Sequence, residues 1–232
     1  MKRFLVVVDL NKDFVNGKLG TREAQAIAPY VARKVSEAMA NGTTVIFTMD
    51  THGKNYTNTQ EGKNLPVEHC IYDETGWMLD DEIFSLFTEA DKKDLERNKK
   101  LMSDIFDKFD KGIDTYSVLG SADTNIAKKA VVFKSTFGSM SLFEIVRHLY
   151  TERWMEDYRN MLCHSREITA DDMEIEIIGL CTDICVISNA ILLKTCFPEV
   201  KITVDSKGCA GVTPEKHLAA LEVMRSCQIN VI

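Results

Sequence analysis

Residues that could do covalent chemistry follow four short apolar runs of this sequence. Asp9, Asp50 and Lys134 each directly follow such a run, and Cys185 comes shortly after a fourth. A thiol beside a carboxylate and an amine could act as a nucleophile with an acid–base partner and a charge-stabilising group. If the four runs are parallel strands, their carboxyl ends meet at one edge of a sheet, where ligands bind. We therefore expect these four side chains to converge.

Cys185, in the segment GLCTDICV, is the candidate nucleophile. Thr182 or Asp183 can cap a helix there, which places Cys185 in the first turn. A helix N-terminus stabilises anions, so we expect a lowered thiol pKa, and free N–H groups in that turn could hold an oxyanion. For a cysteine considered alone, the alternative is a buried structural thiol.

Asp9 and Lys134 are the candidate partners of that thiol. Asp9 follows an apolar run, so we expect it to be buried, to accept the thiol proton and to pass it to a leaving amine. Lys134 would hold both anions in place. The alternatives are a helix cap or a salt bridge to Lys12 for Asp9, and an ordinary surface lysine for Lys134.

A second group of residues has the chemistry of a metal site. Asp50 and His52 form an Asp-x-His pair at a strand end, and His69 follows later in the chain. Carboxylate and imidazole ligands suit Zn²⁺, Fe²⁺ or Mn²⁺, and three protein ligands leave positions for a substrate. Glu61 could add a fourth ligand, directly or through water. The alternative is a pair of unrelated loop histidines.

The elements that must position these residues alternate along the chain. Short runs rich in Val and Ile indicate strands, and the stretches between them have helical spacing of apolar residues. The predicted strands span residues 4–8, 44–49, 130–133, 174–180, 201–204 and 228–232. The predicted helices span residues 21–40, 141–150, 182–195 and 214–227. This order predicts an α/β fold with three layers, in which helices flank a doubly wound, mostly parallel six-stranded sheet.

Two charge-rich stretches look added to that core, at about residues 88–112 and 150–172. In 88–112, apolar residues at helical spacing predict a one-sided helix whose other face is solvated. Residues 150–172 carry large apolar residues among charges and are expected to form a helix packed on its own domain, the alternatives being a lid or an oligomer contact. We find no linker or repeat, so residues 1–232 are expected to form a single domain.

Composition limits the setting in which the protein works. The formal charge of −7 weighs against binding to nucleic acid or to an anionic membrane. The first apolar run is too short for a signal peptide or a membrane span, so we expect a cytoplasmic protein. The seven cysteines are expected to be reduced thiols, mostly buried.

Five motifs together resemble the isochorismatase-like cysteine hydrolases, and among them the nicotinamidases (pyrazinamidases). The motifs occur in family order: VVVDLNKDF (6–14), TMDTH (48–52), LPVEHC (65–70), VFKSTFGS (132–139) and GLCTDICV (179–186). The resemblance implies a catalytic triad of Asp9, Lys134 and Cys185. It also implies Asp50, His52 and His69 as metal ligands, with zinc the first choice, and Glu61 where some nicotinamidases have a further ligand.

The resemblance implies further site residues and an activity. Phe14 matches the aromatic residue beside the substrate ring, and Leu180-Cys181 matches a cis peptide that would aim the Cys181 and Cys185 N–H groups at an oxyanion. The implied reaction is hydrolysis of the linear carboxamide nicotinamide to nicotinate and ammonia, in NAD salvage. The chain departs from the family in its two enlarged stretches and in Thr51, where Trp is frequent, so the pocket wall is expected to differ. Family members are often dimers or larger, which makes a homo-oligomer an expected assembly.

Three other functions remain open at the level of sequence. The first is a cysteine amidase of the same superfamily that acts on an N-carbamoylsarcosine-, ureidoacrylate- or isochorismate-type substrate. The second is a regulatory member without activity, although no triad residue is missing. The third is a thiol redox sensor using Cys181 and Cys185, whose spacing differs from the C-x-x-C arrangement.

Overall fold

A seven-stranded, mostly parallel sheet is the centre of the molecule. In the computed structural model, residues 1–106, 114–119, 129–151 and 168–232 are described. The strands are β1 (Lys2–Val8), β2 (Thr44–Asp50), β3 (Asp114–Leu119), β4 (Lys129–Lys134), β5 (Met173–Leu180), β6 (Lys201–Ala210) and β7 (Asn230–Val231). Their order across the sheet is β3-β4-β2-β1-β5-β6-β7, and every neighbouring pair is parallel except β3 with β4.

Eight α-helices connect the strands within the described residues. They are α1 (Lys12–Val15), α2 (Arg22–Ala40), α3 (Gln60–Asn64), α4 (Asp81–Phe84), α5 (Glu89–Phe106), α6 (Met140–Thr151), α7 (Ile187–Cys196) and α8 (Pro214–Ser226). The short turns Tyr56–Asn58 and Thr75–Trp77 are 3₁₀-helical, and the turn Thr182–Val186 that precedes α7 is a π-helix. No helix in this described part of the chain is both long and apolar enough to span a lipid bilayer.

The three-layer α/β prediction is confirmed by two apolar cores, one on each face of the sheet. On one face α6, α7 and α8 cover Val6, Val8 and Ile46, and on the other α2 and α4 cover Leu5 and Val7. Alternate residues of β1 therefore serve opposite cores, as the twofold repeat of a strand requires. Burial on both faces explains why the central strands are continuous apolar runs.

The predicted number of six strands is wrong by one, because β3 pairs antiparallel with β4 at the edge of the sheet. Its sequence, DTYSVL, mixes polar and apolar residues, as is usual for a strand that is not buried on both faces. Lys134 consequently ends the fourth strand along the chain, not the third. All six predicted strands are present, with ends that differ by a few residues.

The predicted helices are present as well, and threonine side chains cap the N-terminal ends of α2 and α8. Thr21 accepts a hydrogen bond from Ala24 N, and Thr213 accepts one from Lys216 N. Helix α5 lies inside the predicted insertion 88–112, and Asp91 at its start forms a buried ion pair with Lys129 of β4. The rest of that insertion, and most of the insertion 150–172, lie outside the described residues.

Candidate active site

Four strand ends bring the predicted site residues to one edge of the sheet. Strands β4, β2, β1 and β5 are neighbours and run in the same direction. Asp9 follows β1, Asp50 and Lys134 are the last residues of β2 and β4, and Cys185 lies in the turn after β5. The expected convergence is confirmed, since parallel neighbours carry their carboxyl ends to the same edge.

Lys134 lies at the centre of the group. Its Nζ is 2.6 Å from Asp9 Oδ2, 3.6 Å from Cys185 Sγ and 3.5 Å from Asp50 Oδ1. The lysine and Asp9 are both 0% exposed, so the pair is shielded from water. Lys12, the alternative partner of Asp9, instead lies 2.6 Å from Asp81 Oδ1. Lys134 is therefore a buried member of the site and not a surface lysine.

The buried charges shift one another's pKa values. Burial acts to lower the pKa of Lys134, but Asp9, Cys185 and Asp50 outweigh it and raise that pKa well above its ordinary value. Burial raises the pKa of Asp9, and the Lys134 ammonium reduces this rise. Lys134 is therefore a permanent cation beside a carboxylate that is more basic than usual.

The expectation of a lowered thiol pKa at Cys185 is wrong. Burial raises the pKa of Cys185 well above its ordinary value, and Lys134, which acts in the opposite direction, does not cancel this effect. The thiol is 5% exposed and two carboxylates, Asp9 and Asp50, disfavour a further negative charge. A protonated thiol next to a basic carboxylate must lose its proton as it reacts, which is the task of a general base.

Thr48 is a site residue that the sequence reasoning missed. Its Oγ1 donates a 2.6 Å hydrogen bond to Asp9 Oδ1, and Asp9 itself has a left-handed backbone with φ of 48°. Asp9 N donates to Thr48 O over 3.1 Å. The strand–strand contact thus fixes the direction of the carboxylate. Only the pairing of β1 with β2 reveals this contact, because Thr48 is 39 residues away from Asp9 along the chain.

The three predicted metal ligands also lie together. One ligand atom from each of Asp50, His52 and His69 falls within 4.8 Å of the others, and all three residues are buried. Asp50 Oδ2 is 3.0 Å from His52 Nε2 and 3.4 Å from His69 Nε2. Glu61 Oε1 adjoins them, at 3.9 and 3.8 Å from the same two nitrogens.

These residues fit a divalent cation. His52 Nε2 is buried and, although Asp50 Oδ2 lies 3.0 Å away, it makes no hydrogen bond of acceptable geometry to any described residue, which is a costly state for a polar atom without a ligand. His69 Nδ1 bonds Val67 O over 2.8 Å, which leaves Nε2 to face the group. Burial acts to raise the pKa of Asp50, but Lys134 and His52 hold it well below its ordinary value, so this carboxylate is ionised.

Two further buried residues, Asn11 and Asp13, hold the segments that carry the predicted metal ligands. The Asn11 side chain accepts from Asp50 N and donates to Asp50 O, both over 3.1 Å, as a neighbouring strand would. Asp13 Oδ2 accepts a 2.8 Å hydrogen bond from Cys70 N, and Cys70 O accepts from His52 N over 2.9 Å. Sequence reasoning assigned neither residue a role, since each acts on a partner remote in the chain.

The segment before Cys185 has two unusual backbone features. The Leu180–Cys181 peptide bond is cis, at the position that the motif suggested. Gly179 pairs with Val8 in the sheet and has φ of 126°, and a Cβ at this position would lie 2.1 Å from Val8 O. Only glycine therefore lets β5 approach β1 this closely, immediately before Asp9 on one strand and Cys181 on the other.

A cavity of about 960 Å³ opens over these groups. Asp50, His52, Glu61, His69 and Cys185 line its polar part. Phe14 lines it as well, with its ring centroid 5.4 Å from that of His69, so its ring is accessible from the cavity.

Thr51 does not form part of the cavity wall. It is buried and its Oγ1 accepts a 2.9 Å hydrogen bond from the Trp77 indole, which stacks on Phe133. A tryptophan from elsewhere in the chain thus occupies the space behind the metal motif. The replacement of Trp by Thr at position 51 therefore does not change the pocket wall, contrary to the expectation from sequence.

The described cysteines are all free thiols, as expected. They are Cys70, Cys181, Cys185, Cys196, Cys209 and Cys227, while Cys163 lies outside the described residues. Burial raises the pKa of Cys181 to about 12. Since the thiolate is the reactive form, this weighs against a redox sensor built on Cys181 and Cys185.

Comparison with known proteins agrees with the motifs. Residues 3–107 match the family model described as the isochorismatase domain. No curated protein matches the chain.

Several solved structures share the fold over essentially the full chain. The nicotinamidase/pyrazinamidase PncA from Bacillus subtilis is 20% identical, with a TM-score of 0.63 and coverage of 100% of this chain and 99% of that one. The pyrazinamidase of Pyrococcus horikoshii in complex with zinc is 17% identical, with a TM-score of 0.62 and the same coverages. An N-carbamoylsarcosine amidase from Thermoplasma acidophilum is 19% identical, with a TM-score of 0.59 and coverage of 100% and 95%. Such identities establish the shared fold and leave the substrate to the chemistry of the site.

Proposed function

We propose that this chain is an isochorismatase-like hydrolase that converts nicotinamide to nicotinate and ammonia, since residues 3–107 match the isochorismatase domain and the whole chain shares its fold with nicotinamidases. The observation that carries the proposal is the position of Lys134 Nζ, 2.6 Å from the Asp9 carboxylate and 3.6 Å from the Cys185 sulfur. A nucleophile, a base and a fixed cation in mutual contact are the parts that covalent amide hydrolysis needs.

In the first half-reaction Cys185 Sγ attacks the carboxamide carbon while Asp9 accepts the thiol proton. The new C–S bond places a negative charge on the carbonyl oxygen, and the Cys181 and Cys185 N–H groups are the proposed donors to it. Asp9 then returns the proton to the amide nitrogen as the C–N bond breaks. Ammonia leaves, and the acyl group remains on Cys185 as a thioester.

In the second half-reaction Asp9 takes a proton from water, whose oxygen attacks the thioester carbon. The C–S bond breaks, the sulfur recovers the proton from Asp9, and nicotinate is released. Lys134 stays charged throughout because its pKa is raised. Its constant charge offsets the negative charge that moves between Asp9 and Cys185. Acid–base help of this kind is typically worth about 10²–10⁴ in rate.

Asp50, His52 and His69 would hold a divalent metal ion, with Glu61 as an adjoining carboxylate. Zinc is the first choice for this ligand set, and iron or manganese would also suit it. When bound, the ion supplies a Lewis acid for the pyridine nitrogen of the substrate. Phe14 would pack against the ring.

The cavity favours a second candidate, a carboxamide larger than nicotinamide. Its volume of about 960 Å³ is at the upper end of the roughly 300–1,000 Å³ that holds drug-sized ligands. Leu65, Phe137 and Val212 come from three separate segments, line the same cavity and are all more than a third exposed. Exposed apolar residues at the mouth of a site suit an apolar substituent on the acyl group.

Replacement of the nucleophile tests the mechanism. Cys185→Ala should reduce ammonia release from nicotinamide by at least about 10⁴-fold, because the covalent step is lost. Cys196→Ala is the control, since Cys196 is also buried and lies at the opposite end of α7 from Cys185. Near-normal turnover by Cys185→Ala, with an unchanged circular dichroism spectrum, would exclude the acyl-enzyme.

A substrate series decides between the two candidates. Ammonia release would be measured for nicotinamide, pyrazinamide, a 5-phenyl nicotinamide, N-carbamoylsarcosine and ureidoacrylate, with and without a chelator. A preference for nicotinamide that disappears with the metal supports the first candidate, and a preference for the phenyl compound supports the second. If only N-carbamoylsarcosine or ureidoacrylate were hydrolysed, both candidates would be wrong and the chain would have another activity of the superfamily.

We extend the proposal to the setting of the protein. The whole chain would form one domain, act in the cytoplasm in NAD salvage, and assemble as a homo-oligomer with no nucleic-acid or membrane partner. Size-exclusion chromatography with light scattering measures the assembly directly.

A further inference from the structure

Asn189 joins the two segments that carry Lys134 and Cys185. It lies in α7, one helical turn after Cys185, and it is 0% exposed. Its Nδ2 donates to Cys185 O over 2.8 Å and to Phe137 O over 3.1 Å, and its Oδ1 accepts from Ser139 N over 3.0 Å. One side chain thus bonds the nucleophile's own peptide and the loop that follows β4.

The same loop binds the Lys134 ammonium. Lys134 Nζ donates to Thr136 O over 3.0 Å, so residues 136–139 are bonded to the lysine on one side and to Asn189 on the other. The 3.6 Å contact between Lys134 Nζ and Cys185 Sγ spans two elements that are not neighbours in the sheet, β4 and the turn after β5. Backbone pairing of the strands alone therefore does not set this contact.

We propose that Asn189 is a positioning residue that holds Cys185 at the Lys134 ammonium. The inference rests on the proposed roles of Lys134 and Cys185, and it adds a residue that touches neither the substrate nor the reacting atoms. An asparagine suits the position because it offers two donors and an acceptor in one rigid plane, which matches the two carbonyls and one N–H that it bonds. A displacement of about 1 Å at a catalytic group can cost about 10²-fold in rate.

Two variants with different side effects test the proposal. Asn189→Asp keeps the shape and removes both donors, while Asn189→Ala removes all three hydrogen bonds and the volume. Both should lower kcat for nicotinamide by about 10- to 100-fold and leave KM within about threefold, since substrate contacts are intact. Ser188→Ala is the matched control, because the adjacent Ser188 Oγ bonds Ile184 O within its own helical segment. Thermal unfolding of each variant identifies any that fails to fold.

A second measurement does not depend on the substrate. Iodoacetamide should alkylate Cys185 at least about tenfold more slowly in both variants at a fixed pH, because the thiolate loses its neighbouring cation. Mass spectrometry of the Cys185 peptide gives the rate, with the exposed Cys227 as the internal reference.

The outcomes separate the two proposals. Slower alkylation in both folded variants supports the positioning role even if nicotinamide is not a substrate of the parent protein. Unchanged kcat and unchanged alkylation in folded Asn189→Ala would overturn it. A rise in KM with constant kcat would also overturn it, because that result would place Asn189 in substrate binding.

Discussion

At the scale of single residues, the proposed nucleophile is a thiol that resists ionisation, and the proposed base is a carboxylate made more basic by burial. Burial raises the pKa values of both Cys185 and Asp9, while Lys134 opposes both shifts. The raised pKa of Cys185 favours the protonated thiol, so in the proposed mechanism the ionised form of Asp9 takes the thiol proton as the substrate is attacked. This differs from cysteine enzymes in which a thiolate is formed before the substrate arrives.

Thr48 should influence the pKa of Asp9, the proposed base. Its hydrogen bond to Asp9 Oδ1 lowers the pKa of Asp9, so the isosteric Thr48→Val should raise that pKa further. If Asp9 is the base, activity requires its ionised carboxylate and falls as pH drops through the Asp9 pKa. The acid limb of kcat/KM should therefore move to higher pH in the variant.

The pH profile of kcat/KM for ammonia release measures this shift. Thr203→Val serves as the control, because Thr203 is a comparably buried threonine of β6, distant from Asp9 in the sheet. An acid limb at the same pH in Thr48→Val and the parent protein would show that Asp9 is not the base.

At the scale of elements, the sequence predicts the strands and helices that depend on local patterns, and it misses the contacts between residues that are remote in the chain. The apolar runs predict the parallel strands, and with them the edge where Asp9, Asp50 and Lys134 meet. The strand β3 escapes prediction because its polar–apolar mixture acquires meaning only beside β4. Thr48, Asn11 and Asn189 escape for the same reason, since each has a partner between 39 and 52 residues away: Asp9, Asp50 and Phe137 respectively. The prediction of a lowered Cys185 pKa is wrong because it considered only the position of the thiol at a helix start. The burial that raises this pKa arises from the packing of the whole sheet.

The loop that carries His69 should depend on Asp13. The Asp13 carboxylate holds Cys70 N, and Cys70 has a left-handed backbone with φ of 46° immediately after His69. Asp13→Ala should weaken metal binding by about 10- to 100-fold, as loss of an outer partner of a metal ligand typically does.

Competition with a chromophoric chelator gives this affinity for zinc. Asp80→Ala is the matched control, because Asp80 is also a buried carboxylate and accepts from Glu82 N at the start of α4. If both variants bound zinc as tightly as the parent protein, Asp13 would have only a structural role.

Helix α5 should be held to the sheet by its buried ion pair. Asp91 is 1% exposed and Lys129 is 7% exposed, and they are in direct contact. Asp91→Ala leaves the ammonium buried without its counter-charge, so we expect a loss of about 3–5 kcal/mol in the free energy of unfolding. The double variant Asp91→Leu with Lys129→Met should recover most of it, because no charge remains buried.

Urea denaturation measures both changes. Burial acts to raise the pKa of Asp91, but Lys129 and Thr88 hold it below its ordinary value. A lowered folded-state pKa means that this contribution is complete above the ordinary aspartate pKa and is lost as pH falls through the folded-state value. Equal stabilities of Asp91→Ala and the parent protein at neutral pH would contradict the prediction.

At the scale of the whole molecule, binding at the Asp50, His52 and His69 group should stabilise the fold. The three ligands come from β2 and from two loops, and they converge only in the folded chain. A metal at about 100 times its Kd should add about 2.7 kcal/mol. For a chain of this size, that corresponds to a rise of about 5–11 °C in Tm.

Scanning calorimetry of the chelator-treated protein, with and without added zinc, tests this independently of any activity. His52→Ala should abolish the shift, whereas Cys185→Ala should retain it. An unchanged Tm in the parent protein over a wide range of zinc concentrations would remove the metal from the proposed function.

The close approach of β5 to β1 at Gly179 has a consequence for how the sequence can vary. A Cβ there would lie 2.1 Å from Val8 O, so any other residue must push apart the two strands that lead to Asp9 and Cys181. In a saturation library, position 179 should therefore tolerate as few replacements as the nucleophile itself. Other residues would be excluded at position 179 by lack of space, although Gly179 contributes none of the reacting atoms.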